Sequence, residues 1–204
     1  MNHDFTPLLR PTPLASLRPT QMTVGFREVE RKRESWRKRA AKDGPEFLGQ
    51  HLIPVVIGPG DKRYVIDNHH LGLALLREGV EHCLTKTVAD LRMLEKSAFW
   101  TFMDNRNWLH PFDAHGKRRP RQEIPKTLAD LADDPYRSLA GELRRAGGYA
   151  KDPTPYSEFL WGDFLRRRID RAHVDDDFKA ALEQALSLCR APEARYLPGW
   201  CGPE

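Results

Sequence analysis

Between Leu52 and Arg77 the chain carries two apolar, β-branched runs, a tight turn between them, and a helix that follows at once. Leu52-Ile53-Pro54-Val55-Val56-Ile57 reads as a strand. Gly58-Pro59-Gly60-Asp61 turns the chain, and Arg63-Tyr64-Val65-Ile66 returns it. After the polar pair Asp67-Asn68, His69 to Arg77 repeats Leu71, Ala74 and Leu75 at helical spacing, and Gly79 supplies a C-cap. A strand pair that feeds a helix directly implies a mixed α/β layer. It also leaves unpaired backbone N–H groups at the start of the helix. Pro54 has no N–H to donate, so its strand is expected at a sheet edge or beside a bulge.

The flanking segments extend this pattern. Residues 1–13 are broken by prolines and read as a flexible arm. Ala15–Arg18 reads as a short strand, and Phe26 to Ala41 as a helix stopped by Asp43-Gly44-Pro45. Cys83 to Val88 alternates like a half-buried strand. From residue 93 the character is helical: an aromatic stretch at 94–105, then 127–131, 136–145, 158–171 and 178–190. The expectation is an α/β core over 14–92, a helical extension over 93–191 packed on it as one body, and a tail over 192–204. The fold class is α/β in the α+β sense, a small mixed sheet with helices.

At 204 residues with 40% hydrophobic content the chain can bury a core. Its net charge of +4 is unevenly placed. Arg27, Arg31, Lys32, Arg33, Arg37, Lys38, Arg39 and Lys42 face only Glu28, Glu30 and Glu34, so the helix 27–42 nets +5 and everything else about −1. Such a face is either solvated or meets phosphates. Three widely spaced cysteines, Cys83, Cys189 and Cys201, have neither zinc nor redox spacing. No cationic leader with an apolar segment opens the chain, and no apolar run approaches a membrane span. A cytoplasmic location away from membranes is expected. No Walker loop, Gly-x-Gly-x-x-Gly or Cys-x-x-Cys motif occurs, so zinc, flavin and NAD are not expected. The oligomeric state is not legible.

The candidate chemistry gathers at Asp67-Asn68-His69-His70. A helix start after a strand attracts anions, phosphate above all. Asp67 or Asn68 suits the N-cap. The histidines can donate to oxyanions or exchange protons near neutrality. The plain alternative is a cap and a buried, satisfied histidine. Asp133-Asp134-Pro135-Tyr136-Arg137-Ser138 is a second polar helix start. Capping accounts for its acids; Arg137 and Ser138 are left over and could reach a phosphate. The basic loop 117–121 reads as solvated or as a polyanion contact.

The order of these pieces resembles the ParB/sulfiredoxin superfamily. The resemblance rests on Leu17-Arg18-Pro19-Thr20-Gln21, a helix with Val29 and Lys32, Ile53-Pro54-Val55-Val56, and Tyr64-Val65-Ile66-Asp67-Asn68-His69-His70. Phe99-Trp100-Thr101-Phe102-Met103, Asp134 to Ala140, Gly147-Gly148-Tyr149 and Glu158-Phe159-Leu160-Trp161 match the ParB-like family labelled as nucleases. The likeness covers roughly 14–171. It implies a nucleotide phosphate held at the strand–turn–helix, as in relatives that hydrolyse CTP, repair a cysteine sulfinate with ATP, or phosphorylate serine. This chain departs from the signature. Asn68 replaces a Gly, Leu71 an Arg, and Gln21 stands near a Glu of the serine kinases. No cysteine lies in the signature.

The resemblance therefore implies an NTPase or small-molecule phosphotransferase using Mg²⁺ and ADP, ATP or CTP. Asp67, His69 and His70 would be catalytic, with Asp67 as Mg²⁺ ligand or base. Asn68, Lys32, Gln21, Arg137 and Ser138 would bind the nucleotide or a small phosphorylated ligand, and Glu158 and Trp161 would line an acceptor pocket. The alternatives are a nucleic-acid-binding protein or nuclease working through the basic helix 27–42, and a non-catalytic interaction protein that kept the fold.

Overall fold

A computed structural model describes residues 11–43 and 52–203, with backbone alone for 40–43. In chain order the strands and helices are β1 (Pro11–Pro13), β2 (Arg18–Pro19), β3 (Thr23–Val24), α1 (Phe26–Asp43), β4 (Ile53–Gly58), β5 (Lys62–Val65), α2 (His69–Arg77), β6 (His82–Asp90), α3 (Lys96–Asn105), β7 (Ala132–Asp133), α4 (Pro135–Arg145), α5 (Ser157–Arg166), α6 (Arg171–Asp176) and α7 (Phe178–Arg190). The fold class is mixed α/β, as expected. Two compact units emerge. The first takes its described residues from 11–22, 30–111 and 121–131, the second from 23–29, 112–120 and 132–203.

The first unit is built on a five-stranded sheet in the order β1-β6-β4-β5-β2. β4 and β5 form the antiparallel hairpin read from the sequence, while β4 runs parallel to β6 and β5 parallel to β2. Pro54 is therefore in a central strand, not at an edge. The expected irregularity lies next to it, where the pairing with β6 shifts between Val55 and Val56. Being second in the strand, Pro54 keeps its carbonyl in use, accepting from Ile66 N–H at 3.1 Å.

Three other expectations change. Leu14–Ser16 is a 3-10 turn rather than the start of a strand, and β2 begins only at Arg18. The end of the expected arm, Pro11–Pro13, pairs antiparallel with β6; residues 1–10 lie outside the described residues, as do Gly44 and Pro45. Residues 93–111 and 121–131 belong with the sheet rather than with the helical extension. The reason is apolar: Phe99 and Met103 of α3, fully buried, pack with Val56, Tyr64, Leu109 and Ile124.

The second unit is helical around α4, α5 and α7. Its core joins Tyr136, Leu139, Leu143, Trp161, Phe164, Ala181 and Ala185. The expected helix 158–171 ends early, at Arg166 of α5, and a separate short helix, α6, starts at Arg171. Residues assigned to a tail join this core, since Ala194 and Leu197 are buried and Ala150 N–H donates to Gly199 O at 2.8 Å. No described helix is long and apolar enough to cross a membrane.

Candidate functional site

In the first unit, β5 ends at Val65 and α2 starts at His69. Between them Asn68 adopts a left-handed backbone, φ 62° and ψ 28°. Gly and Asn are the residues that tolerate this geometry best. The replacement of the signature's Gly by Asn68 thus preserves the turn. Asn68 also donates through Nδ2 to Leu52 O at 3.2 Å, which ties the turn to the approach of β4. Asp67 is exposed, and its Oδ1 accepts from Asn68 N–H at 2.7 Å. No side chain caps α2.

The two histidines separate. His69 is buried, and its Nε2 accepts from the Thr20 backbone N–H at 3.1 Å. An amide N–H can only donate, so Nε2 carries a lone pair and the ring is the neutral Nδ1–H tautomer. Thr20 is fixed in turn, its hydroxyl donating to Val65 O at 2.7 Å. His69 in this state holds the segment after β2 to the start of α2 and offers no Nε2 proton to a phosphate. His70 is half-buried in the first turn of α2, and Leu71 faces the core. Gln21 follows Thr20, buried, bridged to His110; Lys32 is half-buried on α1.

The remaining predicted residues, Arg137, Ser138, Glu158 and Trp161, fall in the second unit. Asp134 is the N-cap of α4. Its Oδ1 accepts from Tyr136 N–H at 3.0 Å and its Oδ2 from Arg166 Nη2 at 2.6 Å. Ser138 Oγ accepts from Arg27 N–H at 3.3 Å, and Asp133 Oδ1 accepts from Phe26 N–H at 2.7 Å. The first amides of α1 are therefore capped by side chains more than a hundred residues away in sequence. Burial pushes the Asp133 carboxyl above its ordinary range, against that hydrogen bond. Glu158 is paired with Arg144 at 3.0 Å. Trp161 is fully buried, stacked on Tyr149 at 4.4 Å with its Nε1 donating to Pro198 O at 2.9 Å. It is a core residue with no face left for an acceptor. Arg137 is buried with its guanidinium 3.3 Å from the centre of the Phe159 ring. Burial pulls its pKa down.

Much of the basic helix is internally compensated. Glu78 accepts from Arg33 Nε at 2.6 Å and from Arg37 Nη2 at 2.7 Å, and the two guanidiniums, Arg37 first, hold its carboxyl at about 2. Arg27 stacks on Phe178 at 3.8 Å. In the 117–121 loop, Asp113 gathers the Lys117 and His115 N–H groups, and Arg118 lies over Phe112. Among the described residues no group of three or more His, Cys, Asp or Glu side chains gathers as a metal site.

Over residues 11–167 the sequence matches the family model described as "Putative ParB-like nuclease". The chain belongs to this ParB-like family. Among solved structures, protein Atu1540 from Agrobacterium tumefaciens is 56% identical and superposes with a TM-score of 0.89, covering 97% of this chain and 100% of that one. No curated protein matches.

Three residues of this ParB-like chain escaped the sequence reading. Thr20 acts through its backbone N–H, which no side-chain motif signals. Gly25 sits where a Cβ would fall 2.6 Å from Ser138 Oγ and 2.7 Å from Ser138 N, and only its place just before a helix hinted at it. Phe159 looked like one more apolar residue of α5, yet it covers Arg137.

Proposed function

We propose that this ParB-like protein binds the phosphate of a nucleotide, ADP, ATP or CTP, at the first turn of α2, and that it hydrolyses the nucleotide or transfers its phosphoryl group. The observation that carries the reading is the left-handed Asn68 leading into a helix with no side-chain cap. Backbone N–H groups and the positive end of the dipole then favour an oxyanion. Asp67 stands beside it, exposed, with one oxygen oriented by Asn68 N–H. A single carboxylate suits Mg²⁺, which keeps waters and nucleotide oxygens as its other ligands; when bound, the ion would draw charge from the phosphate. Asp67 itself holds a metal or accepts a proton from the attacking hydroxyl. His70 donates to phosphate oxygens. The role of His69 narrows to positioning, because its Nε2 is already an acceptor.

Calorimetric titration of ADP, ATP and CTP with Mg²⁺ tests this. Binding by at least one nucleotide is expected, weakened at least tenfold in Asp67→Asn and His70→Ala. Absence of binding by all three at millimolar concentration would exclude it.

The family description favours a second reading, cleavage or binding of nucleic acid. The basic α1 supports it less than its charge suggests, since Arg33 and Arg37 are already tied to Glu78. A plasmid-nicking assay with Mg²⁺ separates the two readings.

A further inference from the structure

We propose that Arg137 is the recognition group of a second oxyanion site, within the helical unit, closed over by Phe159, whose ligand presents a carboxylate or phosphate to the guanidinium.

The sequence Asp133-Asp134-Pro135-Tyr136-Arg137-Ser138 supplies the first evidence. Five of its six residues have a structural task. Asp133 and Ser138 cap α1, Asp134 caps α4 and pairs with Arg166, Pro135 opens α4, and the Tyr136 hydroxyl donates to Ile169 O at 2.7 Å. Arg137 has no comparable task. It is buried, 6% exposed, yet neither Nε nor Nη1 finds an acceptor among the described residues. These two nitrogens lie on different edges of the guanidinium, so each donor edge keeps an unmet N–H.

A buried charge without a partner is strongly unfavourable. The charges of Glu158 and Asp134 offset part of this cost, but neither carboxylate accepts a hydrogen bond from Arg137. Asp134 is taken by Arg166 at 2.6 Å and Glu158 by Arg144 at 3.0 Å. Arg166 also has Asp163, at 3.5 Å, so of these three guanidiniums Arg137 is the one with no carboxylate in ion-pair reach among the described residues. The ring of Phe159 covers one guanidinium face at 3.3 Å, which favours the cation and leaves the edges for hydrogen bonds. An oxyanion supplies what is missing, charge and in-plane acceptors together.

The position suits a ligand that arrives and leaves. Phe159 lies in the first turn of α5, a helix with no side-chain cap, and the residue before that helix, Tyr156, is left-handed at φ 61°. Lys151 and residues 153–155 ahead of it are exposed. Displacement of Phe159 would uncover the guanidinium without disturbing Trp161 or Leu165 in the core. The site stands whether or not α2 holds a nucleotide.

The test is a titration of the whole protein with sodium phosphate and, separately, sodium acetate, at constant ionic strength set by chloride. The readouts are the arginine Nε–H resonances and the melting temperature. One Nε–H resonance, absent from Arg137→Met, should shift with saturation, and phosphate or acetate should raise the melting temperature of the wild type but not of Arg137→Met. Response to phosphate alone identifies a phosphate ligand, to acetate alone a carboxylate; either supports the site. Arg137→Lys, which keeps charge but loses the fork, should bind at least tenfold more weakly. An equal thermal shift in wild type and Arg137→Met overturns the proposal, as does a wild-type spectrum in which no arginine Nε–H moves at tens of millimolar of either anion. The wild-type spectrum decides the matter even if Arg137→Met fails to fold. His70→Ala, in the other unit, should leave this titration unchanged, which separates the failure of one site from that of the other.

Discussion

His69 Nε2 accepts the Thr20 backbone N–H at 3.1 Å, and through that bond the segment following β2 is fixed to the first residue of α2. Replacement by Phe keeps the volume but leaves a buried N–H unsatisfied. His69→Phe should lose about 1–3 kcal/mol of stability, measured by urea unfolding. A loss below about 0.5 kcal/mol would show that the bond does not hold the turn. Any nucleotide binding at α2 should fall with it, while His70→Ala should affect binding and not stability.

The start of α1 depends on residues far away in sequence. Asp133→Ala removes the acceptor of Phe26 N–H and should cost about 1–2 kcal/mol. Gly25→Ala drives a Cβ to 2.7 Å from the Ser138 backbone nitrogen, which no side-chain rotation relieves, and should cost about 1–3 kcal/mol. Ser138→Ala, losing a longer 3.3 Å bond, should cost least of the three. Denaturant midpoints in the reverse order would refute the capping account.

Glu78 makes acid stability readable. Its carboxyl is held at about 2 by Arg37 and Arg33, against an ordinary value of 4.5. A depressed carboxylate stabilises the fold above its unfolded pKa and loses that contribution as pH falls through the folded one. The melting temperature should therefore decline between about pH 4.5 and 2, and Glu78→Gln should show a shallower decline over the same window. Parallel profiles for the two proteins would remove Glu78 from the explanation. Because the cluster is near the surface, added salt should reduce the difference.

The three thiols should differ in reactivity. Cys201 is exposed, whereas Cys83 and Cys189 are buried and burial pushes Cys83 up to about 11. Native protein should titrate one thiol rapidly with a disulfide reagent and all three only after unfolding. Rapid reaction of a second thiol would mean that β6 or α7 opens readily.

The β4–β5 hairpin was legible because β-branched runs around Gly58-Pro59-Gly60-Asp61 admit few other conformations. The start of α4 was legible because Asp134-Pro135 is local capping chemistry. Of the two readings that the missing N–H of Pro54 allows, the edge fails, because β4 is flanked by residues 62–65 and 82–90, while the irregularity is met by the register shift between Val55 and Val56. The place of Trp161 with Glu158 in an acceptor pocket is an implication of the family resemblance, not of its own chemistry. Its burial was set by Tyr149 and Pro198, brought from elsewhere in the chain.

Local pattern by itself determined most of the longer elements, the mixed α/β class and the turn at Asp67–His70, because spacing, turn residues and caps act within a few positions of the chain. The tertiary structure alone decided what each polar residue in those elements does. It spent His69 on Thr20, Ser138 on Arg27 and Glu78 on two arginines, and it left Arg137 buried with donors unmet. Hydrogen bonding and desolvation depend on which atoms lie within about 3 Å, and in this fold those atoms come from residues dozens to more than a hundred positions apart.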